Sequence, residues 1–155
     1  MTNDYLGWHF STGRLAHGDD RPIVAGETHI VTGFIRPCFN GLHACTRALD
    51  AFYYAPDNTT TVEHVRLYGT VVLEDNKAAA SHRGYIAVGD CTAVLHEFAC
   101  RCAEVALMLT DETDERCWHA VHMKREWLAG RATNLKLGAA RGAARGAARG
   151  AARGA

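Results

Sequence analysis

The sequence predicts an α+β fold: a small, mostly antiparallel sheet, one short helix after Gly41–Cys45, and two longer helices toward the C-terminus. Three observations predict it. Val65, Leu67 and Gly69 alternate against His64, Arg66 and Tyr68, the period of two expected of a half-buried strand. Residues 93–109 repeat apolar side chains every three or four positions, as one face of a helix does. Gly26, Gly33, Pro37 and Asn40-Gly41 cut the stretch before the first helix into short pieces.

Taken in order, Tyr5–Phe10 has the aromatic content of a first strand, and Ser11-Thr12-Gly13 and His17–Asp20 read as turns. Ile23-Val24 and His29–Val31 are short extended stretches, and Leu42–Ala44 is a brief strand. Thr46 is placed to cap a helix over Arg47–Tyr54, which Pro56 ends. Thr59–Tyr68 is a strand that Thr70–Leu73 continues past a bend at Gly69. Tyr85–Val88 is another short strand. Asp90 or Thr92 caps the helix Ala93–Leu109, and residues 111–114 separate it from a last helix over Glu115–Ala129. There Trp118, Val121, Arg125 and Leu128 share a face, and Gly130 is the natural stop.

Residues 1–130 are expected to form one globular domain, with residues 131–155 as a low-complexity tail. The tail repeats Gly-Ala-Ala-Arg four times from Gly138, and each glycine disfavours helix by roughly 1 kcal/mol relative to alanine. With no apolar face to bury, the tail reads as disordered or as a frayed helix. Its arginines matter for charge. The chain has 17 basic and 17 acidic residues, and setting aside Arg141, Arg145, Arg149 and Arg153 leaves 13 against 17. A mildly acidic body argues against a nucleic-acid surface spread over the fold, while the arginine tail is expected to touch nucleic acid weakly. No apolar run approaches the ~18–20 residues of a membrane span, and no signal peptide opens the chain, so no membrane contact and a cytoplasmic location are expected.

The chemistry-bearing residues form no complete set. Six cysteines include no CxxC pair, and they read as small buried thiols. His96 with Cys100, and His119 with His122, are helical two-ligand pairs with no third ligand in view, so no metal is expected. Cys45, after His43 at a helix start, is the one candidate nucleophile. Gly-x-Ser-x-Gly, the phosphate-binding Gly-x-x-x-x-Gly-Lys and Gly-x-Gly-x-x-Gly are all missing.

Several strings nonetheless carry a resemblance: Pro37–Cys45, Asp50–Pro56, Leu95–Cys100, Cys117–Val121 and Lys124–Gly130. Together with the alanine- and arginine-rich repeats, they resemble a family of bacteriophage and bacterial accessory proteins without an assigned activity. The resemblance implies a phage-type protein in the host cytoplasm, acting on a host or viral macromolecule.

A second resemblance covers residues 8–90, whose order of elements is similar to the ADP-ribosyltransferase fold. Trp8–Ser11 stands at the first motif of that fold, Gly41–Ala44 at the second, Tyr54 closes the helix, and Leu67–Leu73 and Tyr85–Val88 stand at its later strands. This resemblance implies NAD as cofactor, with His9, Gly41 and Tyr54 as cofactor-binding residues. Phe10 stands where that family has a glycine, His43 where it has tyrosine, and Gly84, beside Arg83, where it has the catalytic glutamate. The glutamate-free RNA 2′-phosphotransferases are similar in relying on histidine and arginine, which implies His43 and Arg83 as the catalytic pair.

Overall fold

The computed structural model describes residues 4–16, 19–110 and 114–154, and the expected turn at His17-Gly18 and most of the 111–114 separator lie outside them. The chain has the expected α+β architecture, and it divides into one compact unit ending at Thr92 and a second beginning at Ala93. The dividing point falls between Thr92 and Ala93, within the stretch 1–130 expected as one domain.

The first unit holds β1 (Tyr5–Ser11), β2 (Thr28–Ile30), β3 (Leu42–Ala44), α1 (Ala48–Tyr53), β4 (Thr61–Leu73) and β5 (Ala78–Asp90). Its hydrogen-bonded path runs β1-β4-β5-β2, all antiparallel, and β3 pairs with β5 at Ala78–Ala80. The path then returns to its start. Trp8 N–H donates to the Cys45 carbonyl (2.7 Å) and Cys45 N–H to the Trp8 carbonyl (3.0 Å), so β1, β4, β5 and β3 close into a ring.

Closure explains the interior. Ala78 and Ala80 are wholly buried between β3 and β4 and join Val65, Leu67, Tyr85, Ala44 and Ile23 in the core, while Ala79, equally buried, alternates to the other face of β5 beside Gly41. Two irregularities in the β4–β5 pairing bend the sheet around the ring: Ile86 is an extra residue of β5 opposite His64 and Val65, and Gly69 and Thr70 of β4 stand opposite Ser81. The second contains Gly69 at φ +77°, the bend expected there. The expected four-residue strand at Tyr85–Val88 is the second half of the thirteen-residue β5. Its first half was hidden by a run of alanines and by Ser81-His82-Arg83, which do not look like a strand until both neighbours are known. The helix α1 begins without the expected Thr46 cap: Arg47 is the N-cap and makes no side-chain capping bond.

The second unit contains α2 (Thr92–Leu109, starting at the end of the first unit), α3 (Glu115–Leu128) and α4 (Asn134–Gly154). Asp90 caps α2 through the Thr92 N–H (2.7 Å), and Asp114 caps α3 through the Arg116 N–H (2.9 Å). The guanidinium of Arg125 on α3 bonds Glu97 (3.0 Å) and Glu104 of α2. Gly130, at φ +72°, ends α3 as expected.

The helix α4 covers most of the expected tail. Leu137, Ala140 and Ala147 are buried along it and Ala144 is half-buried, a three-four-three spacing that forms a seam against α3. Alanines small enough for close helix contact supply the apolar face that the repeat was expected to lack. Trp127 Nε1 donates to Asn134 Oδ1 (2.7 Å), pinning the first turn of α4 to α3.

Candidate functional site

Two places gather polar side chains in a way that core packing alone does not require. The first lies inside the ring. On β4, Glu63 is in phase with Val65 and Leu67 and therefore points inward, where it is fully buried. Such a carboxylate needs several donors. Across the β1–β4 ladder, His9 sits opposite Glu63 and Ser11 opposite Thr61. His9 Nδ1 lies 2.8 Å from Glu63 Oε2, and the hydroxyls of Ser11 (2.6 Å) and Thr61 (2.7 Å) both donate to Oε1. Burial by itself would raise the Glu63 pKa, but these three donors hold it below the usual carboxylate range.

Burial, reinforced by the positive charge of Arg83 and a smaller effect of His43, pushes His9 down to about 4 against the pull of Glu63. His9 is thus neutral at pH 7, with its Nδ1–H donating to the Glu63 carboxylate. No buried side-chain nitrogen or oxygen among the described residues lacks a partner, so Nε2, which has none, is reached by solvent. The side chain is 26% exposed. A carboxylate-oriented neutral imidazole with one open nitrogen is the arrangement of a general base or a ligand.

Arg83 is 2% exposed and spent on the fold: Nε (3.0 Å) and Nη2 (2.8 Å) donate to the Tyr85 hydroxyl, and Nη1 donates to the His43 carbonyl (2.9 Å). The Tyr85 hydroxyl meets His29 Nδ1 (2.9 Å), closing a second buried polar group. His43 alternates with Leu42 and Ala44, which face the core, so its ring stands on the other side of β3 from them. There its Nε2 accepts the Cys38 N–H (3.1 Å). The structure brings His9 and Arg83 within electrostatic reach of each other, and His43 to the edge of that reach.

Gly41 and Tyr54 do not join them. A Cβ at Gly41 would meet Ala79 and Ile35, so that glycine, at φ +146°, serves packing. Tyr54 donates to Asn76 (3.2 Å) and carries the Lys77 ammonium over its ring, lining a shallow cavity with Glu74, Asp75, Asn76 and Lys77. Cys45 is buried in the ring seam, and burial pushes its thiol pKa up, the wrong direction for a nucleophile. Among the described residues no three metal-ligating side chains come together: His96 packs edge-on against Trp127, and the His119 and His122 rings lie 6.5 Å apart.

The second place is the outer surface of α4. Arg141, Arg145 and Arg149 are exposed and rise about 6 Å apart along the helix axis. They have no carboxylate partner among the described residues. Eight arginines elsewhere do: Arg14, Arg21, Arg47, Arg66, Arg101, Arg116, Arg125 and Arg131. Arg36 lies against the Phe39 ring, and Arg83 is internal. From Asn134 to the C-terminus there are five basic residues and no acidic one. Arg141 lies near enough to Lys124 of α3 to add to the lowering of its pKa, which burial begins. Beside the arginines run Gly138, Gly142, Gly146 and Gly150, and a Cβ at any of them would meet nothing.

Sequence reasoning missed Glu63 and the alanine seam of α4, and both had a signal. Glu63 shares the phase of Val65 and Leu67, and the alanines recur at helical spacing. Among the described residues no helix is long and apolar enough to cross a membrane. Compared with family models, with curated proteins and with solved structures, the chain matches none.

Proposed function

We propose that this chain is an accessory binding protein whose macromolecular target is nucleic acid, held by its phosphate backbone along α4. The observation that carries the reading is the row of Arg141, Arg145 and Arg149, exposed and, among the described residues, without acidic partners, where the other exposed arginines described have a carboxylate or ring partner. A repeating row of guanidinium groups suits a repeating row of phosphates. Between the arginines stand only glycine and alanine, with no amide, hydroxyl or carboxylate to tell one base from another, so the contact is expected to follow the phosphates rather than the sequence. This reading specifies the macromolecule that the likeness to phage accessory proteins leaves open.

Its test is a titration of the full chain against labelled duplex DNA and single-stranded RNA over a range of salt. Three to four neutralised phosphates give a log–log salt slope of roughly −3 on duplex. Replacing Arg141, Arg145 and Arg149 by alanine keeps the helix and is expected to abolish binding. Absence of binding at low salt, or affinity insensitive to salt, overturns the reading.

A second reading, an NAD-dependent enzyme of the ADP-ribosyltransferase or RNA 2′-phosphotransferase type, is favoured by the Glu63–His9 pair with its open Nε2. It expects NAD at a hundred times its dissociation constant to stabilise the protein by about 2.7 kcal/mol. Unchanged melting in millimolar NAD removes it.

A further inference from the structure

The six cysteines, expected as buried thiols, divide by environment. Cys45, Cys91 and Cys100 are buried, and burial pushes each of these thiols up, the inert setting of a structural cysteine. Cys38 is exposed, and it has a charged partner: Lys77 Nζ donates to its Sγ at 3.0 Å. A cation beside an accessible sulfur is the setting in which a cysteine reacts as its thiolate.

The two atoms are positioned from opposite sides. Cys38 stands at φ +62° in the tight turn closed by the Arg36–Asn40 bridge, and its N–H donates to His43 Nε2 (3.1 Å). Lys77 ends the connection between β4 and β5, where its carbonyl accepts the Glu74 N–H (2.8 Å). A lysine ordinarily keeps its charged head in water. The Lys77 side chain is instead 13% exposed, with its ammonium over the Tyr54 ring and 3.3 Å from a Glu74 carboxylate oxygen. Its proton is held more tightly than on an ordinary lysine, first by the hydrogen bond to Cys38 and further by Glu74. Nucleophile and amine are thus fixed at contact distance, although 39 positions separate them in the chain.

We propose that Cys38 and Lys77 form a peroxide-reactive pair that closes to a reversible sulfur–nitrogen cross-link. The Cys38 thiolate attacks one oxygen of hydrogen peroxide. An S–O bond forms, the O–O bond breaks and hydroxide leaves, so that sulfur is oxidised to a sulfenic acid and the peroxide is reduced. The hydroxide takes one proton from the Lys77 ammonium and becomes water. The anion that held that proton has been consumed in the same step. The free amine then attacks the sulfenic sulfur: an S–N bond forms, the S–O bond breaks, and the departing hydroxide leaves as water with the second amine proton. In sum the chain gives up two hydrogen atoms and the peroxide becomes two waters. The amine already lies against the sulfur, so this closure competes with further oxidation to the irreversible sulfinic acid. The bond ties the turn at 36–40 to the β4–β5 connection, and a thiol reductant reopens it.

The test treats the full reduced chain with hydrogen peroxide at neutral pH and reads the intact mass, then a proteolytic digest. The expected product has lost two hydrogen atoms, joins the peptide of Cys38 to that of Lys77, and reverts with dithiothreitol. Lys77→Arg keeps a positive charge beside the sulfur and removes the amine. In that variant Cys38 is expected to stop at the sulfenic acid, which dimedone captures, with complete loss of the cross-link. Cys38→Ser should lose the product as well, while Cys102→Ser, at the other exposed cysteine, keeps it; circular dichroism confirms that each variant is folded. The wild-type result needs no variant. A chain in which Cys38 passes to the sulfinic acid without joining Lys77, or stays reduced while Cys102 is oxidised, overturns the proposal. So does a cross-link that persists in Lys77→Arg, or a product whose mass includes an added oxygen, which would place an oxygen atom between sulfur and nitrogen.

Discussion

Gly7 and Cys45 meet at the seam that closes the sheet: a Cβ added to Gly7 would lie 2.7 Å from the Cys45 carbonyl oxygen. That oxygen is already the acceptor of the Trp8 N–H. The contact is between backbones, so no side chain can swing aside to make room. Gly7→Ala must push β1 away from Cys45 and weaken both hydrogen bonds of the Trp8–Cys45 bridge. We expect a loss of about 1–3 kcal/mol in denaturant unfolding, the range of overpacked sites. Hydrogen exchange at the Trp8 and Cys45 amides should accelerate more than at Val65. Equal acceleration throughout would show that the seam is not the weak point.

The buried histidines set the pH dependence of the fold. His9 falls from an ordinary value of 6.5 to about 4 in the folded chain, and burial moves His29 in the same direction. Between those values the unfolded chain binds more protons than the folded one, so stability rises with pH there. The contribution is complete above about pH 6.5 and is lost as the pH falls toward 4, below which the depressed Glu63 carboxylate adds a further loss. For His9 the full effect is up to about 3 kcal/mol. Unfolding midpoints at pH 7 and pH 4.5 should therefore differ strongly in the wild type and much less in His9→Gln. A midpoint equally pH-dependent in both would locate the proton uptake elsewhere.

Replacing Glu63 by glutamine tests the same cluster from its other end. An amide oxygen can still accept from Ser11 and Thr61, but the amide nitrogen then confronts His9 Nδ1, donor against donor. The imidazole is forced into its other tautomer or loses its partner. We expect a destabilisation of about 1–3 kcal/mol, the cost of one unsatisfied buried polar group. Nitrogen NMR of His9 should report the proton moving from Nδ1 to Nε2. Retention of the Nδ1 proton in the variant would mean that Glu63 does not set the tautomer.

Much of this fold was legible because period and punctuation are local. Residues 63–68 alternate, residues 92–109 repeat at helical spacing, and Gly69 and Gly130 occupy the bend and the stop expected of them. What the sequence concealed is what depends on distant partners. Ala78–Ala80 reads as no particular element until β3 and β4 flank it. Arg83 looks like a free cation until Tyr85 and the His43 carbonyl consume its donors. Glu63 lay within reach, since the alternation that turned Val65 and Leu67 inward applied to it as well. Treating a charged residue as necessarily outward obscured the one carboxylate that the interior is organised around.

The glycines of α4 separate its stability from its proposed role. Gly142 and Gly146 sit mid-helix, where each disfavours the helix by roughly 1 kcal/mol relative to alanine. A Cβ at either position would touch nothing, so packing does not require them. Gly142→Ala and Gly146→Ala should each raise the stability of the helical unit by about 1 kcal/mol, nearly additively, in urea unfolding followed by circular dichroism. The same methyl groups roughen the bare strip beside Arg141, Arg145 and Arg149, where a nucleic-acid backbone would come closest to the helix. The double variant should therefore bind DNA more weakly than the wild type while keeping the same salt slope, because the number of neutralised phosphates is unchanged. A stiffer helix that binds equally well or better would mean that the contact runs through the guanidinium groups alone, with the glycine strip facing water.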